Sequence, residues 1–255
     1  MTKWIKVALV VALLVGVVDA QHVVVVRRAA AAGESCPGGA EICDDFSADT
    51  ITSGDWVEEG GSDFSIAGGV LTYNTASGSG YGIMRYDADS LDNTAYQVVC
   101  MQIGTAGAQY PGIFIRSTQA TTGATWNVSF LANGNDNWVG EFEDRSSGSV
   151  DGCTGTAGAV TSGTVICIEL DEGGGTGGDA DIHVFVNPNS CTIGSDCKSS
   201  WDSAHTNWTP GFTKTADDAD CTDSDATWPV GSYVGFMNYV TGSTITYFEA
   251  WSSAS

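Results

Sequence analysis

From Ile42 onward, apolar and polar residues alternate with a period of two through one short segment after another, separated by turns rich in Gly, Asn and Asp. A strand sends successive side chains to opposite faces, so this alternation predicts antiparallel strands with one buried face. The segments that read this way are residues 64–66, 70–73, 82–86, 96–103, 112–116, 125–132, 138–143, 165–170, 182–186, 233–238 and 244–251. Spacing this regular, with no long stretch of helical period after the N-terminus, predicts a sandwich or a barrel. Two connections are long, 145–164 and 187–229; the second holds Cys191, Cys197 and Cys221 together with Trp201 and Trp208. Loops of that length in a compact domain carry function or are stapled.

The N-terminus has a different pattern. Lys3 and Lys6 precede an apolar run over 7–18, and Val18-Asp19-Ala20 supplies a small-residue cleavage site, so residues 1–20 read as a signal peptide and the protein as secreted. The run is shorter than the roughly 20 apolar residues that a spanning helix needs. Residues 21–39 (QHVVVVRRAAAAGESCPGG) form a low-complexity leader. Its four valines are strand-like, and residues 21–28 are a candidate segment for self-association by adding a strand to a neighbouring subunit's sheet. Residues 40–255 are then one β-sandwich domain, of a size that buries its own core.

Composition sharpens this picture. The chain has 33 Gly and only 5 Pro, which suits short strands joined by many turns. Lys and Arg number 9 against 31 Asp and Glu, a net charge of −22, and past Arg28 the only such cations are Arg85, Arg116, Arg145, Lys198 and Lys214. A surface so acidic repels phosphate backbones and anionic lipid, so neither nucleic acid nor membrane is an expected partner. Eight cysteines form an even set on an exported chain and predict disulfides. Cys36/Cys43 and Cys191/Cys197 are spaced as local staples, and Cys100/Cys167, both in strand-like runs, as a link between neighbouring strands. No C-x-x-C pair occurs and the histidines are only His22, His183 and His205, which argues against zinc.

The opening segment CDDFSADTITSGDWVE (43–58) and the closing GSYVGFMNYV and TITYFEAW (231–251) resemble the two ends of a concanavalin A-like, or laminin G-like, jelly roll. In that superfamily these ends lie near each other at the edge of the sandwich. The resemblance spans residues 43–251 and implies an all-β, antiparallel two-sheet jelly-roll sandwich with a sugar-facing role.

Candidate chemistry follows from the strand phase. Carboxylates two apart on a strand share a face at about 6.5–7 Å, a separation suited to acid and nucleophile pairs. Glu141/Glu143 and Glu169/Asp171 are such pairs. The second resembles the E-x-D-x-x-E strand of family-16 glycoside hydrolases, but Gly174 stands where that family has its acid, and Glu172 is out of phase. The same stretch is also similar to the metal-binding segment of legume-type lectins. That likeness implies Glu169, Asp171, Asp179 or Asp181, and His183 around a transition metal and Ca2+. Asp171, Asp179 and Asp181, in and beside a Gly-rich loop, are the candidate Ca2+ ligands. The acidic run Asp217, Asp218, Asp220, Asp223 and Asp225 lacks the register of an EF-type loop and reads as a solvated loop pinned by Cys221.

For a glycan partner, Trp138, Trp201, Trp208, Tyr81 and Tyr110 are candidates to stack on sugar rings, whereas Trp56, Trp126 and Trp251 read as core. Alternation assigns Arg116, Asn127, Ser129, Glu141, Glu143, Glu169, Asp181 and His183 to one polar face, an assignment that a one-residue slip would invert. Arg116, Asn127, Glu141, Glu143 and His183 of that face, with Trp138 from the stacking candidates, are the expected ligand-binding set, although His183 alone, between Ile182 and Val184, reads as a solvated residue. No G-x-S-x-G elbow and no phosphate-binding Gly loop occurs. Sequons stand at Asn127 and Asn207. These features together predict a secreted, noncatalytic carbohydrate-binding (lectin-like) or adhesive surface module. The rival readings are a structural subunit of an extracellular assembly joined through residues 21–28, and a glycoside hydrolase using Glu141/Glu143 or Glu169/Asp171.

Overall fold

The computed structural model describes residues 36–47, 55–59, 64–74, 82–87, 89–92, 96–106, 111–117, 128–131, 160–170, 181–202, 206–210, 212–215, 231–238 and 241–253. Residues 1–20, read above as a signal peptide, most of the leader, and the strand expected at 138–143 lie outside them.

Thirteen strands are present among these residues: β1 (Ile42–Asp44), β2 (Trp56–Glu59), β3 (Phe64–Ala67), β4 (Val70–Tyr73), β5 (Gly82–Tyr86), β6 (Tyr96–Thr105), β7 (Pro111–Ser117), β8 (Val128–Leu131), β9 (Val165–Leu170), β10 (Asp181–Val186), β11 (Phe212–Thr215), β12 (Tyr233–Asn238) and β13 (Thr244–Ser253). They form two antiparallel sheets. One has eight strands in the order β11-β10-β9-β6-β13-β4-β3, with β1 also paired to β13; the other has five, β2-β5-β12-β7-β8. The fold is therefore an all-β, antiparallel two-sheet jelly-roll sandwich, as expected.

The two ends of the chain meet as the resemblance implied, since Ile42 pairs with Ala250 and Asp44 with Phe248. β13 has β6 along one side and, along the other, β4 at 244–245 and β1 at 248–250, and β1 has no further partner strand among the described residues. The opening D-D-F motif has a physical role there. Asp44 is buried, its Oδ2 accepts the indole N–H of Trp56 at 2.6 Å, and its Oδ1 accepts the Phe46 N–H at 2.7 Å. With its N–H satisfied, Trp56 packs at 5.0 Å on Phe236 and 5.3 Å from Phe248, joining the two sheets.

The phase read from the sequence holds inside the sandwich. Val99, Met101 and Ile103 of β6, Ile166, Ile168 and Leu170 of β9, and Ile182 and Val184 of β10 face Trp56, Met84, Tyr86, Ile113, Ile115, Val234 and Phe236 of the other sheet in one buried cluster. Closing off each large apolar side chain contributes about 1.5–3 kcal/mol. The opposite phase is also buried. Val98, Cys100, Val165, Cys167, Phe185 and Trp251 form a second cluster with Cys36, Ala40, Cys43, Cys197, Trp201 and Trp208. The long connection after β10 is thus a third layer. It carries a short helix, α1 (Cys197–Ser200), and then β11, a strand the sequence pattern did not predict. Disulfides join Cys36 to Cys43, Cys100 to Cys167 and Cys191 to Cys197, the three pairs expected from spacing. Cys153 and Cys221 lie outside the described residues.

Candidate functional site

The eight-stranded sheet has its chemistry on the face turned away from the other sheet. Register puts His183, Glu169, Val98 and Trp251 side by side across β10, β9, β6 and β13. Phe185, Cys167, Cys100, Glu249 and Cys43 make the next row. The cap formed by residues 187–202 and 206–210 closes over both rows. The indole N–H of Trp201 donates to Glu169 Oε2 at 3.2 Å, and that of Trp208 donates to Ser200 Oγ at 3.0 Å. The two rings meet Trp251 edge-on, each at 6.2 Å, and Trp208 meets Phe185 at 5.2 Å. Glu169 is 0% exposed, Glu249 1%, His183 7%, Trp201 9% and Trp208 1%.

This arrangement corrects several expectations. Trp201 and Trp208 do not stand ready to stack on sugar; their N–H groups find acceptors within the cap and its sheet, which lets both rings be buried. His183 is a buried neighbour of Glu169 rather than a solvated residue, because the cap covers that row. Alternation also separates the two faces of one sheet without saying which sheet a strand joins. The polar face read from it therefore divides: Arg116 and Ser129 sit on β7 and β8 of the five-stranded sheet, and Glu169, Asp181 and His183 on the eight-stranded one. Arg116 and Asp181 are described by backbone only. Asn127, Trp138, Glu141, Glu143, Asp171 and Asp179 lie outside the described residues, as do Tyr81, Tyr110 and Trp126. Glu169, enclosed and already accepting an indole N–H, does not fit the lectin-type metal set. Among the described residues no group of three or more His, Cys, Asp or Glu is placed to hold a metal.

The outward face of the five-stranded sheet differs. There Val57, Arg85, Gly235, Phe114 and Ser129 line up across β2, β5, β12, β7 and β8. Ile83, Phe114 and Met237 form a small apolar cluster of their own. Phe114 lies so close over β12 that a Cβ on Gly235 would come 2.6 Å from its ring and 2.1 Å from the Met84 carbonyl oxygen, so glycine is required by the approach. Beside this cluster Arg85 donates from Nε to Asp87 Oδ1 at 3.1 Å, and its guanidinium stands 5.4 Å from the ring centroid of the half-buried Tyr233. A guanidinium held on an aromatic face is an attractive pairing in its own right. Arg85, Ile83, Phe114 and Met237 are all buried, at 5%, 5%, 0% and 1% exposed, and Val57 and the Tyr233 ring are the partly exposed side chains beside them. Sequence reasoning counted Arg85 only among the few cations. The available signal was its polar phase in G-I-M-R-Y, between Met84 and Tyr86, which point into the core.

No protein-family model matches the chain, and no curated protein matches it. Solved structures do. The chain is similar to a glycosyl hydrolase family protein from Mycobacterium fortuitum, at 11% identity over 83% of this chain and 99% of that one with a TM-score of 0.45. It is similar to the exoplasmic/lumenal domain of VIP36 in its Ca2+/Man3GlcNAc-bound form, at 11% identity over 81% and 87% with a TM-score of 0.43. It is also similar to a prokaryotic β-1,3-1,4-glucanase (lichenase) derived from a mouse hindgut metagenome, at 11% identity over 83% and 99% with a TM-score of 0.41.

Proposed function

We propose that this protein is a secreted, noncatalytic carbohydrate-binding or adhesive module that meets its glycan on the outward face of the five-stranded sheet. The reading rests on one observation. The outer face of the eight-stranded sheet is sealed by Trp201 and Trp208, while on the opposite sheet the half-buried Tyr233 ring is partly open to solvent, with Arg85, itself 5% exposed, held against it. Burial of Glu169 beneath Trp201 weighs against the hydrolase that would use Glu169 with Asp171. Three disulfides suit an oxidising, extracellular compartment. Arg116 on β7 and Asn127, Trp138, Glu141 and Glu143 belong to the same proposal as further glycan contacts, and Asp171, Asp179 and Asp181 as ligands for Ca2+.

A glycan array with and without Ca2+ tests this. Binding is expected, and Tyr233→Ala should weaken it about tenfold, or ~1.4 kcal/mol, with the circular dichroism unchanged. An array with no bound glycan sinks the reading and leaves assembly through residues 21–28 in its place. Turnover of a glycan that is lost on Glu141→Gln or Glu143→Gln would instead establish the hydrolase.

A further inference from the structure

The cap meets the eight-stranded sheet at a second buried acid. Glu249 on β13 has Cys43 of β1 and Cys100 of β6 as cross-strand neighbours. Its Oε2 accepts the Gly194 N–H at 3.1 Å, and its Oε1 meets no hydrogen-bond donor among the described residues. Gly194, at φ +73°, is pressed against Tyr247 so closely that a Cβ would stand 2.8 Å from that ring, and the Cys191–Cys197 disulfide closes the loop around it. We propose that the loop 191–197 is a pH-sensitive latch, docked on β13 while the Glu249 carboxyl keeps its proton and released when that proton leaves to solvent.

The reason is hydration. An ionised carboxylate enclosed with one N–H donor loses most of its solvation, and opening the loop returns water to both oxygens. Among the described residues no cation offsets the charge. On the cap, Asp196 faces Glu249 with the same sign, and Lys198 of α1 is engaged by Glu41 at 3.6 Å. On β13, Tyr247 is a phenol pushed up to about 12, chiefly by burial and then by Glu249 itself. Cys43 and Cys100 are locked in disulfides and carry no charge, and Glu169 and His183 lie two and three strands away. Burial pushes Glu249 up to about 7; the Gly194 N–H opposes this and Asp196 adds to it. With the loop open, the carboxyl returns toward its ordinary value of 4.5, so the closed loop holds the proton more tightly. Closure is therefore favoured in full below that lower value, weakens as pH climbs toward neutrality, and changes no further above it.

Deuterium uptake by residues 187–202 of the full chain, normalised to the intrinsic rate at each pH, is the test. It is expected to rise at least about tenfold between about pH 5 and about pH 8, with no rise in Glu249→Gln. Asp196→Asn removes the like charge and keeps an acceptor for the Thr192 N–H, now 2.6 Å away, so the midpoint should move to lower pH. Uptake that ignores pH in the wild type, or rises equally in Glu249→Gln, overturns the latch. Should the Gln variant not fold, an unmoved midpoint in Asp196→Asn does so.

Discussion

Asp44 shows how one side chain organises the core. It accepts from both the Trp56 indole and the Phe46 backbone, and it is held in a buried place that raises its carboxyl above the usual range, chiefly through desolvation. Removing it leaves two donors without acceptors inside the aromatic cluster. Asp44→Ala is therefore expected to destabilise the fold by about 1–3 kcal/mol, read as a lower midpoint in urea unfolding with the slope unchanged. The second Asp of the motif, Asp45, is exposed and, among the described residues, accepts the Ser47 N–H. The opening motif was legible as a family likeness, but which of its two acids is structural was not, because that depends on the distant Trp56.

At the scale of the elements, the disulfides act unequally. Cys100–Cys167 ties β6 to β9 across a sequence separation of 67, whereas Cys36–Cys43 and Cys191–Cys197 span 7 and 6. Loop-closure entropy makes the long tie worth about 4 kcal/mol and each short one about 2. Double Ser replacement at 100 and 167 should accordingly cost roughly twice as much in calorimetric stability as replacement at 191 and 197. Most strands were legible from period two, because alternation is what a half-buried strand requires. β1, β2 and β11 escaped: each is only three or four residues long, and Phe212-Thr-Lys-Thr offers one apolar residue and gains its order from pairing with β10. The cap escaped for another reason. VICIEL in β9 is buried at all six positions, and such a run is the mark of a strand covered on both faces. Read that way, it announces a layer over the eight-stranded sheet, and that layer is what removes Glu169, His183, Trp201 and Trp208 from the surface.

For the whole molecule, charge is the dominant surface property. A net charge of −22 on 255 residues repels itself, and mobile ions shorten the range of that repulsion from about 10 Å at 0.1 M to about 3 Å at 1 M. The melting temperature is expected to climb by several degrees between low salt and about 0.5 M NaCl, as followed by scanning calorimetry; a flat response would mean that the charges are paired or already compensated. Two of the three layers were visible in the sequence as architecture, while the division of polar residues between sheets was set by strand order, which periodicity does not encode.

The pairing of β1 with β13 has one further consequence. Residues at opposite extremes of the folded unit sit on adjacent strands, so whatever precedes the first and whatever follows the last depart from neighbouring points. A domain anchored in that way can be spliced into the middle of another polypeptide, or have its old ends joined and new ones cut elsewhere, without its sheets being pulled apart.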